Sequence, residues 1–346
     1  MDSQKSHELE VKGIIQDYFQ ERFFHFKGGI ITDLSHIAAG WESDIYAFKL
    51  IPQDGKPQGL ILRLFPGTGG YEKSGREFSN LEFLVKHDYP VPSPLILERD
   101  NSPFETPFII IEKIPGRTLW DPLFTAQVNR RQELIDGFFS LFVQLHQLDP
   151  SDFIDRSPGG PEVNPESLLV HQLDNWHNLY EKFPLPDFLP LFDWLYEHAR
   201  EISPGRQAVL HGDFHPENIL LQPDGKMVVI DWTGLQVSDP RFDLAWTLLL
   251  ITAYEGFHWR QPFLESYERQ AGIQIEQLHY FDVAACARRL YSIAVSLAAG
   301  AGAMGMRPGA EQQMMGQIEP AGEVYELLQH QTGISLPIIE AWLSKI

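Results

Sequence analysis

One segment constrains the fold of this chain more than any other. Two short apolar runs, Ile219–Leu221 and Met227–Ile230, flank the residues Pro223-Asp224-Gly225. Proline, aspartate and glycine in succession are typical of a tight turn, so the segment predicts a β-hairpin. Chemically active side chains stand at its outer ends: Asp213 precedes the first strand, Asn218 begins it and Asp231 ends the second.

The predicted hairpin brings its two outer ends together. Folding at the Asp224-Gly225 turn places the amide oxygen of Asn218 near the carboxylate of Asp231. Both are oxygen ligands of the kind that Mg²⁺ prefers, and this ion takes few ligands from a protein. The carboxylate of Asp213 stands just outside the metal, where it can accept a proton. We therefore predict a Mg²⁺ site at Asn218 and Asp231.

The character of the chain changes near residue 115. Before it, a helix (Val11–Phe24) leads into short apolar runs, and Asp44–Leu50 with Gly59–Leu64 predicts an antiparallel hairpin. After it, long helical patterns dominate, beginning with Arg130–Leu148. A length of 346 residues suits about two domains. We predict a β-rich N-terminal lobe (1–115) and a mainly helical C-terminal lobe (116–346). Other predicted elements are a helix over Glu72–Lys86 and a strand over Phe108–Ile111.

Composition excludes several classes of protein. Forty-seven acidic and 27 basic side chains give a net charge of −20, which disfavours binding to nucleic acid. The single cysteine, Cys286, excludes an internal disulfide and a cysteine-based zinc cluster, and suits a reducing, cytoplasmic compartment. Leu290–Met306 falls short of the ~20 apolar residues of a membrane span. Residues 1–12 show no secretory signal. We expect no nucleic-acid or membrane partner.

Three motifs carry a family resemblance. His211-Gly212-Asp213 followed by Asn218, and then Asp231-Trp232, resemble the H-R-D-x-x-x-x-N and D-F-G segments of protein kinases. The glycine and tryptophan variants are more similar to the aminoglycoside phosphotransferase family, which includes choline kinase and other small-molecule kinases. The later run Ser238–Trp246 also resembles that family's G-D-P-x-x-D-L-A segment. The resemblance covers about residues 30 to 270.

The resemblance implies a two-lobed protein-kinase-like α+β fold. It implies an enzyme that transfers the γ-phosphate of ATP or GTP to a hydroxyl of a small molecule, with Mg²⁺ as cofactor. Residues 1–115 would bind the nucleotide, and residues 116–346 would carry catalysis and the acceptor site. Asp213 would orient and deprotonate the acceptor hydroxyl. The sequence indicates no oligomeric state.

The resemblance also implies a set of nucleotide-binding residues. The loop over residues 39–46 resembles the family's nucleotide-covering loop. Arg63 stands where the family usually has a lysine, and Glu77 stands where the ion-pair partner of that lysine is expected. Glu112-Lys113-Ile114 would form a hinge that binds adenine through its backbone. His215, where many protein kinases have a lysine, would contact the transferred phosphate or lie on the surface. The nucleotide-binding set is Gly40, Ser43, Arg63, Glu77, Glu112, Ile114 and His215.

Two helical segments, 166–183 and 247–259, are expected to line the acceptor site. Their candidate contacts are Asp174, Tyr254, Glu255 and Trp259. The net charge of −20 favours a cationic acceptor such as an aminoglycoside.

Two alternatives to a kinase stay open. His211, Asp213, His215 and Asp231 could ligate a transition metal in a hydrolase, although that site leaves Asn218 and the strand-rich first lobe without a role. A kinase-like binding protein without activity is also compatible with the arginine at position 63. Within the kinase interpretation, His211 orders the loop, and Asp243 accepts backbone N–H bonds that brace it.

Overall fold

A computed structural model describes residues 2–23, 28–37, 43–53, 55–67, 69–154, 168–300, 302, 316 and 318–345. Gly40 and most of the proline-rich segment 150–165 lie outside the described residues. The chain forms two compact units. The first comprises Met1–Arg117 with Leu220–Thr233, and the second comprises Thr118–Ile219, Gly234–Met304 and the C-terminal helices.

The first unit is built on a five-stranded antiparallel sheet. Its strands have the order β1-β2-β3-β5-β4. The predicted hairpin is confirmed as β2 and β3, which pair from Asp44 opposite Leu64 to Leu50 opposite Gln58. The elements are α1 (Asp2–Arg22), β1 (Ile30–Ile37), β2 (Asp44–Ile51), β3 (Gln58–Leu64), α2 (Gly70–Lys86), β4 (Pro94–Glu98) and β5 (Phe108–Glu112).

An amphipathic helix covers one face of this sheet. Apolar residues of α1 at helical spacing pack on alternate residues of β2 and β3, because side chains on one face of a strand recur every second residue. The helix begins at Asp2, well before the predicted Val11. Lys5, Ser6 and His7 near its start are polar and exposed, so apolar periodicity does not mark this part of the helix. The packed residues include Val11, Ile15, Tyr18, Phe19, Tyr46, Phe48, Leu60 and Leu62.

The second unit is mainly helical. Its helices are α3 (Trp120–Thr125), α4 (Val128–His146), α5 (Ser151–Ile154), α6 (Leu168–Lys182), α7 (Leu189–His198), α8 (Pro240–Glu255), α9 (Arg260–Ala271), α10 (Leu278–Ala299), α11 (Ile318–Thr332) and α12 (Pro337–Leu343). None of the helices among the described residues combines the length and apolar character needed to cross a bilayer.

Five short strands complete the structure. They are β6 (Arg117–Thr118), β7 (Ala208–Leu210), β8 (Ile219–Leu221), β9 (Met227–Val229) and β10 (Gln236–Ser238). β7 pairs with β10, and the other three form a sheet in the order β6-β8-β9. The second predicted hairpin is therefore confirmed as β8 and β9, and Gln222 N–H donates to the Lys226 carbonyl across its turn at 2.8 Å.

One predicted helix needs correction. The segment 247–259 is not a single helix, because α8 ends at Glu255 and a short 3₁₀ turn, Phe257–Trp259, follows. Gly256 separates the two with φ of 99°, a conformation that glycine adopts without steric cost and that a helix cannot contain. Trp259 therefore lies on the turn and not on α8.

Candidate active site

A tight loop follows β7 and carries the H-G-D motif. Gly212 has φ of 82°, and a Cβ at this position would lie 2.8 Å from the carbonyl oxygen of Gly234. A side chain is excluded here both by the backbone conformation and by this close approach. Phe214 anchors the loop to α4, because its ring stacks on the ring of Phe142 with centroids 4.1 Å apart.

The first turn of α8 braces this loop. One carboxylate oxygen of Asp243 accepts the His211 N–H at 2.8 Å, and the other accepts the Gly212 N–H at 2.9 Å. The predicted bracing role of Asp243 is therefore confirmed. All three residues are buried, and buried N–H groups are costly without acceptors. His146 of α4 lies 3.4 Å from the same carboxylate.

Asp213 is held firmly and is still accessible. Trp246 of α8 donates its indole N–H to Oδ1 at 2.7 Å, and His215 Nε2 lies 3.4 Å from Oδ2. The backbone N–H of Asp213 donates to His211 Nδ1 at 3.2 Å. The Asp213 side chain is 44% exposed, so one face of the carboxylate can meet a small molecule.

The surroundings of Asp213 favour its ionised form. Partial burial by itself raises the pKa of Asp213. The charge interaction and hydrogen bond with His215 oppose this effect, as do the charge of Arg288 and the Trp246 hydrogen bond. The balance holds the pKa of Asp213 well below its usual range. The carboxylate is therefore ionised at neutral pH and positioned to accept a hydrogen bond.

Asn218 lies on a 3₁₀ turn (Pro216–Asn218) directly after this loop. Its amide nitrogen donates to the backbone carbonyl of Asp213 at 2.9 Å and lies 3.2 Å from His215 Nε2. These contacts commit the nitrogen to the loop, and no described residue donates a hydrogen bond to its Oδ1. The amide oxygen therefore suits a hard cation.

In the first unit, Arg63 of β3 joins three oxygen-bearing side chains. Its Nη1 pairs with Glu77 of α2, its Nε donates to Ser43 Oγ at 3.2 Å, and its Nη2 donates to Asp231 Oδ1 at 3.2 Å. The guanidinium is almost fully buried. A planar fork of donors can satisfy three separate acceptors, which a lysine ammonium at the end of a flexible stem does less well. This geometry accounts for arginine at position 63.

Asp231 has an unusual backbone. Its φ of 68° lies in the left-handed region, which is uncommon for residues other than glycine and is concentrated at functional sites. The next residue is anchored to α2, because Asn80 donates to the Trp232 carbonyl at 2.8 Å. Two carboxylates, Glu77 and Asp231, share the single charge of Arg63. The carboxylate oxygens of Asp231 suit a divalent cation.

The hinge residues lie at the end of the sheet. Glu112 ends β5, and Lys113 N–H donates to the Gly59 carbonyl at 3.0 Å. No described residue accepts the N–H of Ile114, so that group is available to a ligand. Ser43 is fully buried, and its hydroxyl contacts Arg63.

Three of the four predicted acceptor contacts lie together. Trp120 of α3 donates its indole N–H to Glu255 at 2.5 Å, and its ring packs edge-on against Tyr254 and His215. Trp259 packs against Phe124, one turn further along α3. Asp174 lies apart on α6, where it raises the pKa of Tyr196 in addition to the larger effect of burial.

Sequence reasoning missed four residues of this site. Trp246 and Arg288 adjoin Asp213, Trp120 joins the acceptor contacts, and Asn80 holds Trp232. Two of them left a signal in the sequence: Trp246 ends the Ser238–Trp246 motif, and Asn80 follows Glu77 by three positions on the buried face of α2.

The alternative hydrolase site does not form. Within the described ranges, no three His, Cys, Asp or Glu side chains make a group that could hold a metal ion. His211 is instead fully buried, with its Nδ1 accepting the Asp213 N–H.

Known proteins share this architecture. The chain resembles a thermostable mutant of aminoglycoside phosphotransferase APH(4)-Ia in ternary complex with AMP-PNP and hygromycin B, at 17% identity and a TM-score of 0.61 over 92% of this chain and 99% of that one. It also resembles choline kinase LicA from Streptococcus pneumoniae, at 15% identity and a TM-score of 0.58 over 93% and 99%. At these identities the likeness shows the fold, which is the predicted kinase-like α+β fold.

Sequence comparison adds a curated relative and a family. Acyl-CoA dehydrogenase family member 11 of Gallus gallus is 26% identical over 202 residues, which are 55% of this chain. The match spans only 24% of the length of that relative. Residues 33–281 match the model of the phosphotransferase enzyme family (APH). That range covers well over half of the chain and all three motifs, and so the chain belongs to the phosphotransferase enzyme family.

Proposed function

We propose that this protein transfers the γ-phosphate of a nucleoside triphosphate, ATP or GTP, to a hydroxyl of a small molecule. The observation that carries the proposal is the carboxylate of Asp213. It is ionised, fixed by Trp246 and half exposed on a loop that also holds Asn218. Membership of the phosphotransferase enzyme family supports the same activity.

The proposed reaction gives Asp213 two tasks. The acceptor oxygen forms a bond to the γ-phosphorus while the bond from that phosphorus to the β–γ bridging oxygen breaks. The hydroxyl proton passes to the Asp213 carboxylate and then to solvent, leaving a nucleoside diphosphate and a phosphate monoester. Because the pKa of Asp213 is low, the residue chiefly orients the hydroxyl and takes the proton late, as the new bond forms.

Asn218 Oδ1 and Asp231 would hold Mg²⁺, which neutralises phosphate charge when it is bound. Arg63, Glu77 and the buried Ser43 would position the phosphates by keeping Asp231 in place, and we assign Glu112, Ile114 and His215 to direct contact with the nucleotide. The lobe assignment follows: residues 1–115 bind the nucleotide, and residues 116–346 carry Asp213 and the acceptor site.

We assign Tyr254, Glu255 and Trp259 to the acceptor site, since Trp120 and its neighbours join them to His215. Asp174 has no such connection among the described residues. The net charge of −20 supports a cationic acceptor, whereas the charges nearest Asp213 favour a different class, argued below. A cytoplasmic location stays a prediction.

Substitution of the two aspartates tests the proposal. Asp213→Asn should lower turnover by roughly 10²–10⁴-fold, the range for loss of a general base, and leave nucleotide affinity unchanged. Asp231→Asn should weaken Mg²⁺-dependent nucleotide binding as well as turnover. Calorimetric titration with a non-hydrolysable nucleotide, with and without Mg²⁺, separates the two. Asp224→Asn, an exposed turn residue of the same hairpin, is the matched control.

Two results would contradict the assignment. Loss of metal-dependent nucleotide binding in Asp213→Asn but not in Asp231→Asn would reverse the two roles. Tight nucleotide binding by the wild type without turnover of any acceptor would favour the inactive binding protein.

A further inference from the structure

A cation lies beside the proposed base. Arg288 of α10 donates from Nη1 to the Gly212 carbonyl at 2.7 Å, and its guanidinium carbon lies 3.9 Å from the centroid of the Trp246 ring. The same indole donates to Asp213. The indole of Trp246 therefore contacts the Asp213 carboxylate through its N–H and the Arg288 guanidinium through the face of its ring. The contact with the ring keeps the guanidinium in place.

Most hydrogen-bonding capacity of Arg288 is unused. A guanidinium has five N–H donors, and one bond to Gly212 is the only hydrogen bond that it makes with the described residues. The residue is exposed, and its other donors make no hydrogen bond with the described residues. No carboxylate in the described part of the chain forms a salt bridge with it.

Three other arginines of the second unit each form a salt bridge, which Arg288 does not form with any residue that the structure describes. Arg241 pairs with Asp239, Arg260 with Asp282 and Arg269 with Asp136, each at 2.6 Å or less. Arg131 and Arg206, like Arg288, donate to backbone carbonyls, so what distinguishes Arg288 is its position beside Asp213, whose pKa its charge helps to lower.

Glu255, the acidic residue among the predicted acceptor contacts, has a partner of its own. Glu255 accepts the Trp120 indole N–H, and the next arginine, Arg289, donates to the Tyr254 hydroxyl at 2.8 Å. Two consecutive arginines of α10 thus lie on this side of the second unit. Physiological salt screens charges more than about 8 Å apart, so the groups that directly contact the acceptor matter more for its binding than the net charge of −20.

We propose that the acceptor carries an anionic group, a carboxylate or a phosphate, that binds the Arg288 guanidinium while its hydroxyl lies at Asp213. This inference rests on the proposed function and names the class of acceptor. The planar fork of donors matches the oxygens of both anions. Because Trp246 contacts both Asp213 and Arg288, one small molecule can place its hydroxyl at the first and its anionic group at the second.

Matched acceptors test the inference. Hydroxy acids are assayed beside the hydroxy amides and amino alcohols of the same chain length, and sugar phosphates beside their parent sugars. The readout is release of nucleoside diphosphate. The wild type should prefer the anionic member of a set, and the two sets distinguish carboxylate from phosphate.

Variants of Arg288 link that preference to the guanidinium. Arg288→Gln should lower kcat/KM for the anionic acceptor by about 10- to 100-fold, chiefly through KM, the range for a lost hydrogen bond to a charged group. Arg288→Lys should restore part of the loss. Arg130→Gln removes the same charge from an exposed pair with Glu133 on α4 and should change nothing. Calorimetric binding of the hydroxy acids gives a readout that does not need turnover.

The outcomes separate this inference from the proposed function. Phosphorylation of only neutral or cationic acceptors overturns the inference and leaves the phosphotransferase intact. An equal loss for neutral and anionic acceptors in Arg288→Gln also overturns it, because the residue then acts through the Gly212 carbonyl. No nucleotide consumption with any acceptor contradicts the proposed function, and anion binding equal in wild type and Arg288→Gln overturns the inference in that case as well.

Discussion

Single hydrogen bonds set the properties of the residues that matter most here. Asp213 owes its ionised state partly to the indole N–H of Trp246, and the planar guanidinium of Arg63 contacts oxygens of three side chains at once. In both cases the side chain of interest lies on one element and its partner on another. The chemistry of a residue is therefore decided by which donor the fold places beside it.

Trp246→Phe should shift the pH dependence of turnover. The Trp246 hydrogen bond favours the charged form of Asp213, so its loss raises the pKa of that carboxyl toward the usual range. Turnover that needs the carboxylate falls as pH drops through this pKa. The acidic limb of kcat/KM against pH should therefore lie at higher pH in the variant. Phenylalanine keeps an aromatic face for Arg288.

The control for this measurement is Trp194→Phe, on α7, whose ring stacks on His198. An acidic limb that coincides in wild type and Trp246→Phe would show that the indole does not tune Asp213.

At the scale of elements, α8 organises the second unit around the loop. Its N-terminus is capped by Asp239, which accepts the Arg241 N–H at 2.9 Å, and its first turn supplies Asp243. Its next turn supplies Trp246. One helix therefore both braces the backbone of the loop and contacts the carboxylate that the loop presents.

Asp243→Ala should destabilise the protein strongly. Two buried N–H groups, those of His211 and Gly212, lose their acceptors, and each such loss costs about 1–3 kcal/mol. The free energy of unfolding in urea should fall by roughly 2–6 kcal/mol, with a parallel loss of turnover. Glu265→Ala, at an exposed position of α9, should have little effect. A loss in Asp243→Ala as small as in this control would contradict the bracing role.

At the scale of the whole molecule, the protein and its proposed nucleotide are both negatively charged. The chain has a net charge of −20, and its proposed nucleotide is itself anionic, so binding needs local cations. Arg63 is already shared by two carboxylates. A divalent cation is therefore expected to supply the positive charge at Asp231.

Removal of metal should abolish stabilisation by nucleotide. With Mg²⁺, a non-hydrolysable nucleotide at 100 times its Kd should add about 2.7 kcal/mol to stability and raise Tm. In excess chelator the same nucleotide should leave Tm nearly unchanged, and Asp231→Asn should behave in Mg²⁺ as the wild type does in chelator. An equal rise of Tm in chelator would exclude the metal from nucleotide binding.

Local sequence patterns predicted many of the secondary-structure elements and the family of this protein. Turn residues between apolar runs predicted both hairpins, helical spacing predicted α2 and α4, and the motif spacings predicted the family and the kinase-like fold. Each of these signals lies within a few residues of chain, where backbone geometry links spacing to structure. Bracing by Asp243 was also predicted, but only through the family resemblance.

Tertiary packing determines the contacts between residues that lie far apart in the sequence. Trp246 reaches Asp213 across 33 residues, Arg288 reaches Gly212 across 76, and Asn80 reaches Trp232 across 152. No periodicity connects positions so far apart, because their meeting depends on how whole helices and strands pack. The sequence therefore predicts where the reactive carboxylates stand, while the folded units determine which tryptophan and which arginine adjoin them.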